Sequence, residues 1–338
     1  MHDSTGWASS RLLMLAATMI IIAGIKAAAT VMVPFLLAVF VAVVSAPLML
    51  WFTRRGIPDV VAVLLMLMLF LLAGGGLTLF LGGTINAFYG DIPVYEARLM
   101  EMTAGLTEWA RGHGADVPDN LVSEYFNPGM VLAMVGTIFN GLGGVLANAL
   151  LILFTVIFIL LEAPGMPDKL RRAFGDETMA FEHFARFSDL VQQYLAIKTL
   201  VSLGTGITIG IALWIIGVDY AVVWALMAFL LNYIPNIGSI IAAVPAVLIA
   251  LVQLGGGEAV ATIVVYVVAN TLFGNVIEPR MMGRSLGLST LVVFLSLVFW
   301  GWVLGPVGML LSIPLTMVVK IALEVRPQTR WLATLLDH

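Results

Sequence analysis

The chain has 338 residues, of which 61% are hydrophobic and only 11% charged, with a formal net charge of -4. That leaves too little polar surface to cover a water-soluble globule of this length, so a membrane is the expected solvent. The scattered lysines and arginines form no basic stripe for nucleic acid, and the absence of cysteine excludes disulfides, thiolate metal sites and thiol nucleophiles.

From Leu12 to Phe52 there are 41 residues with one charge. As a single helix they would extend about 60 Å, twice the roughly 30 Å hydrocarbon thickness, so two spans are expected. They are placed at about 11–28 and 33–52, turning between Lys26 and Pro34 and ending at Arg54, Arg55 and Gly56. Arg11, the apolar run to Ile25 and Ala27 to Ala29 imitate a cleavable secretion signal. Lys26 and the apolar run that follows at once argue instead for a retained helix. A third span runs from Val60 to about Gly83, which closes a first region at 1–83.

Residues 84–130 are more polar and read as an acidic helical insert outside the membrane. Ile92, Tyr95, Leu99, Met102, Leu106 and Trp109 fall three and four apart, as in a helix-packing or subunit-contact seam, with Asp91 as helix cap and Pro93 in the first turn. A fourth span is expected at about 138–162, within a region 131–163. An amphipathic cytoplasmic segment, 164–198, leads into a fifth span at 199–217. In that span Ser202, Gly206 and Gly210 strip bulk from one face, so that another helix can approach.

Positive residues in short loops are held on the cytoplasmic side. With both termini inside, thirteen of the 16 lysines and arginines fall inside, leaving Lys26, Arg98 and Arg111 outside. Asp219 and Glu258 then both lie outside. The apolar run between them must therefore enter and return, broken around Pro235, Asn236 and Gly238. Leu288 to Leu323 repeats the pattern around Gly301, Gly305, Pro306 and Gly308, expected to enter from the opposite face. The expectation is an all-α polytopic protein of about eight membrane segments, two of them broken or re-entrant hairpins, with 199–325 as the C-terminal membrane region and 326–338 as a cytoplasmic tail. Interrupted helices are tolerated in lipid only where the freed backbone is buried or lines a cavity, which fits a solute or ion pathway; two ordinary kinked hairpins remain the plain alternative.

Charged and amide side chains inside apolar segments mark the candidate pathway: Asn232, Pro235, Asn236 and Gly238 at the first break, then Asn270, Asn275 and Glu278, with Gln193 just before the fifth span. Glu278 is read as a cation or proton site. The alternative is an interfacial pair with Arg280 or Arg284, the asparagines merely tying helices together.

No His-Glu-x-x-His, Gly-x-x-x-x-Gly-Lys or Gly-x-Ser-x-Gly element is present. His2 and His338 are terminal, and His113 and His183 fall on opposite sides of the membrane. No enzyme activity, metal or cofactor is expected.

The elements Arg54-Arg55-Gly56, Tyr233-Ile234-Pro235-Asn236-Ile237-Gly238, Asn275-Val276-Ile277-Glu278-Pro279-Arg280-Met281-Met282-Gly283 and Gly305-Pro306-Val307-Gly308 through Pro314, together with Pro34-Phe35, resemble the bacterial autoinducer-2 exporter family of permeases. The resemblance spans most of the chain and is strongest after Tyr194. It implies a multi-pass inner-membrane transporter, with members linked to export of a small furanosyl signalling molecule and others to sodium/proton antiport. It also implies a homo-oligomer, a pentamer, as partner of itself beside the lipid bilayer and a small-molecule or ion substrate. A passive pore and a non-transporting membrane scaffold stay open as alternatives.

Overall fold

The computed structural model describes residues 4–113, 148–166, 169, 172, 179–235, 237–282, 288–324 and 328–336. Among them there is no strand. Helices α1 (Ser4–Ala27), α2 (Ala29–Arg54), α3 (Asp59–Gly112), α4 (Ala149–Glu162), α5 (Met179–Ile216), α6 (Ala221–Leu231), α7 (Gly238–Gln253) and α8 (Gly256–Asn270) follow in order. A π-helical turn, Thr271–Ile277, joins α8 to α9 (Glu278–Met282), and α10 (Thr290–Leu304), α11 (Pro306–Leu310), α12 (Ser312–Glu324) and α13 (Arg330–Leu335) complete the chain.

Four stretches are long and apolar enough to cross a membrane by length and composition: Ala29–Arg54, Asp59–Phe88, Asp189–Ile216 and Gly256–Met282. Large apolar side chains cover their outer faces, with Leu72 68% and Leu79 81% exposed. Such a surface is stable against lipid and not against water.

The chain divides into two compact units. The first comprises Met1–Val63, Leu151–Gln193 and Arg284–His338. Its α1 and α2 are separated by Ala28 alone, whose N–H still reaches the Gly24 carbonyl at 2.9 Å. The turn expected between Lys26 and Pro34 is thus a single residue. Pro34 lies buried inside α2, where its missing N–H interrupts the ladder without ending the helix. The C-terminal run folds back as the sequence anticipates. Ser289 caps α10 by accepting from Val292 N–H at 3.3 Å, and Gly305, at φ 69°, ends the helix in a conformation that suits glycine. Pro306 then opens α11, at the position where a proline loses nothing. The return is close: a Cβ at Gly308 would stand 2.0 Å from the Trp300 carbonyl oxygen. Trp300 Nε1 donates to Thr316 Oγ1 at 3.1 Å, fastening α10 to α12.

The second unit comprises Leu64–Leu150 and Tyr194–Gly283. Its core gathers Phe88 and Tyr95 from α3, Ile209 and Leu213 from α5, Trp224 from α6, Ala242, Ala246 and Ala250 from α7, and Tyr266 from α8. Two expected boundaries fall inside continuous helices. Helix α3 runs unbroken for 54 residues through the position where the insert was to begin, and Pro93 lies in its interior. Asp91 therefore caps nothing: its carboxylate accepts from Tyr220 Oη at 2.5 Å. Likewise α5 joins the end of the expected cytoplasmic segment and the fifth span in one helix of 38 residues. Helices α6 and α7 form the predicted broken hairpin, with residues 232–237 between them.

Candidate functional site

The site is built on one face of α5, in the second unit. Tyr194, Lys198, Ser202, Gly206 and Gly210 recur every fourth residue, so they lie along one row of the helix. The two glycines admit α6: a Cβ at Gly206 would come within 2.8 Å of the Ala225 carbonyl oxygen, and one at Gly210 within 2.7 Å of the Ala225 Cβ. The seam expected from Ser202, Gly206 and Gly210 is a contact within the chain.

Further along the row, Ser202 and Lys198 meet the two irregular segments. Asn232, buried at the end of α6, donates to Ser202 Oγ at 3.0 Å. Next to it, Tyr233 Oη donates to Thr199 Oγ1 at 2.7 Å, and that hydroxyl in turn donates to the Leu195 carbonyl at 2.7 Å. The hairpin break is tight, because a Cβ at Gly238 would lie 1.7 Å from the Leu231 carbonyl oxygen. Only glycine fits there.

The π-helical turn Thr271–Ile277 also packs on α5, with Phe273 on a different side from that row. Turns of this kind appear mostly as single insertions within α-helices, frequently at functional sites. The ring of Phe273 rests on Gly204, where a Cβ would stand 2.5 Å from its Cε1 atom. This seats Glu278 against Lys198, whose Nζ donates to both carboxylate oxygens, at 2.8 and 2.9 Å. The Lys198 and Glu278 side chains are 6% and 17% exposed, so the pair is largely withdrawn from water. An ion pair in such a place is costly to dismantle by halves, and it is the kind of polar group that marks transport routes in membrane helices.

Of the residues singled out from sequence, Asn232, Pro235 and Gly238 sit together in the hairpin break, and Asn270 is half-buried where α8 meets the π turn. Asn236 lies outside the described residues. Asn275 is exposed on the π turn and Gln193 is exposed on α5. Of the alternative partners expected for Glu278, Arg280 is exposed, and Arg284 falls outside the described residues. The partner present is Lys198. From sequence alone, Lys198 counts only as one of the thirteen positive charges expected inside. Its position on the row of Ser202, Gly206 and Gly210 was the available signal.

A second polar cluster, missed altogether, closes the far end of the hairpin. Tyr95 Oη donates to Asp219 at 2.9 Å, Arg98 to the Gln253 carbonyl at 2.7 Å, and Gln253 Oε1 accepts the Asp219 N–H at 2.8 Å. Trp224 Nε1 donates to the Asp219 carbonyl at 2.8 Å. Burial and the neighbouring Asp219 carboxylate push the Tyr95 phenol well above its ordinary range. Tyr220, in the left-handed region at φ 60°, is pushed up in the same way, by burial and then by Asp91. Ile92 and Leu99 pack against the core of this unit, while Met102 is 38% exposed; the Leu106 side chain lies outside the described part.

Lipid-facing helices, a broken hairpin and a withdrawn ion pair beside a π turn define a polytopic helical membrane protein with a polar seam in its interior. A family profile described as AI-2E family transporter matches residues 13–328, and the chain belongs to that family of membrane transporters. The AI-2 transport protein TqsA of Escherichia coli (strain K12) is 41% identical over 325 residues, covering 96% of this chain and 94% of that protein. A "Putative transport protein" of Haemophilus influenzae is 42% identical over 333 residues, covering 96% and 95%. YhhT of Escherichia coli (strain K12), named in the same terms, is 40% identical over 325 residues, covering 96% and 93%. These names describe transporters rather than enzymes.

Proposed function

We propose that the protein is a permease that exports a small polar solute, AI-2 or a compound of like chemistry, across the bacterial cytoplasmic membrane, driven by an ion gradient that acts on the Lys198–Glu278 pair. The observation that carries this reading is the pair itself, held by both carboxylate oxygens beside a π turn and a broken hairpin. A carboxylate whose partner is a single lysine can exchange that partner for a proton or a cation, and so couple a charge movement to a change in helix packing. The name of the Escherichia coli relative, at 41% identity, supports AI-2 as the first solute to test. Sodium/proton antiport is named by none of the three relatives above and takes second place.

Both termini are assigned to the cytoplasm on the distribution of lysine and arginine. Asp91, Asp219 and Arg98, which that orientation puts on one side, also share one cluster. The protein is further proposed to assemble as a homo-oligomer, a pentamer as the family resemblance implies, with the exposed Met102 and Trp109 of α3 as candidate contacts.

The test is efflux of AI-2 from proteoliposomes with and without an imposed pH gradient. Saturable, gradient-dependent efflux by the wild type, abolished in Glu278→Gln, is expected. Equal efflux by Glu278→Gln would remove the coupling role. Non-saturable movement would indicate a pore, and no movement with an intact fold would favour a scaffold.

A further inference from the structure

Helix α8 carries Thr262, Tyr266 and Asn270 one turn apart, and Gly274 and Glu278 continue the same spacing through the π turn. Thr262 is 0% and Tyr266 4% exposed, whereas Val260, Val264, Val267 and Val268 cover the outer side of the helix. The polar face points into the protein and the apolar face away from it.

Neither the Thr262 nor the Tyr266 hydroxyl has a hydrogen-bond partner among the described residues. Five other helical threonines here are bonded. Thr78, Thr84, Thr155, Thr199 and Thr205 each donate to the carbonyl four residues earlier. That bond is open to any threonine in a helix, and Thr262 does not make it. A buried hydroxyl without a partner carries an uncompensated desolvation penalty, which valine and phenylalanine would avoid in nearly the same volume. Packing alone gives no reason for either hydroxyl. Tyr266 shares its cluster with Ala242, Ala246 and Ala250 of α7, whose methyl side chains offer the least obstruction to anything entering between α7 and α8.

We propose that Thr262 and Tyr266 are solute-contacting residues: α7 parts from α8 during transport, and the two hydroxyls then bond an uncharged polar solute moving along the Thr262–Glu278 face. Hydroxyls both donate and accept, which matches the mixed donors and acceptors of an uncharged polar solute. The face runs over seventeen residues, about 24 Å of helix rise, most of the roughly 30 Å hydrocarbon layer. This inference rests on the transport reading above, and its test separates the two.

The chain has no native cysteine, so single cysteines can be placed freely. Thr262→Cys, in sealed proteoliposomes, is expected to react with the water-soluble reagent 2-(trimethylammonium)ethyl methanethiosulfonate. Val264→Cys, on the outer face, is expected to stay inert because the reactive thiolate forms only where water reaches. Equal inertness of both would overturn the proposal. In parallel, the double variant Thr262→Val/Tyr266→Phe should unfold at the same temperature as the wild type or higher, while its KM for AI-2 efflux rises at least tenfold. An unchanged KM would also overturn the proposal. If the wild type carries no AI-2, the preceding function fails for that solute, and the labelling result alone decides whether this face meets water.

Discussion

Lys198 and Glu278 stand 80 residues apart in the chain, yet one ammonium holds both oxygens of one carboxylate in a place from which water is mostly withdrawn. Replacing such a pair with apolar residues is often neutral. Removing one partner is not, because the remaining charge is stranded. Lys198→Met is therefore expected to lower stability by about 3–5 kcal/mol, and Lys198→Met/Glu278→Gln to recover most of that loss. Thermal unfolding in detergent measures both, and a double variant as unstable as the single one would deny the direct pairing.

The glycines make a graded test of helix approach. At Gly238 an added methyl group meets backbone, the Leu231 carbonyl oxygen at 1.7 Å, so Gly238→Ala should prevent the α6–α7 hairpin from forming. At Gly206 the obstacle is again a carbonyl, at 2.8 Å, and Gly206→Ala should cost about 1–3 kcal/mol. At Gly301 the nearest atoms belong to the flexible Met309 side chain, at 2.8 Å, which can swing aside. Gly301→Ala should be the mildest of the three in yield of folded protein and in unfolding temperature.

The tyrosines of the outer cluster give a pH signature. Tyr95 and Tyr220 are held protonated beyond the ordinary tyrosine range, so each contributes stability that is fully present below its unfolded pKa of about 10 and is lost only as pH rises through the higher folded value. In the folded protein neither should ionise near pH 10. Tyrosinate absorbance of Tyr95→Phe/Tyr220→Phe should then match that of the wild type up to that pH. A smaller signal in the variant would show that at least one of the pair is an ordinary phenol.

The distal part of α3 separates two uses of one helix. Phe88, Tyr95 and Leu99 are committed to the core of their own unit, whereas Met102 and Trp109 are exposed. Met102→Glu/Trp109→Glu should leave the unfolding temperature of the detergent-solubilised protein nearly unchanged and lower its mass in light scattering if subunits meet on that surface. An unaltered mass would move the subunit contact elsewhere.

Much of this architecture is legible from composition and spacing. The breaks at Pro235 to Gly238 and at Gly305-Pro306 are visible because proline and glycine interrupt apolar runs too long to be one helix. The seam at Ser202, Gly206 and Gly210 is visible because small residues at four-residue spacing have few other uses. What escaped was of two kinds. Continuity through Asp91 and Pro93 was hidden because both are local signals for a helix start, and the tertiary bond from Tyr220 to Asp91 overrides them. The partners of Glu278 and Asp219 were hidden because pairing across many residues leaves no local pattern. Lys198 and Tyr95 each looked like part of something nearer, a loop charge and an apolar stripe.

A rod 54 residues long has a fixed phase as well as a fixed length. Each residue advances a helix by about 100°, so the bearing of Tyr95 is set by how Met66, some eight turns away, is locked into its own packing. One extra alanine between Gly75 and Gly76, where a side chain would touch nothing, would swing the outer half by more than a quarter circle and carry Tyr95 off Asp219. Over that stretch α3 tolerates changes of side chain far better than changes of count.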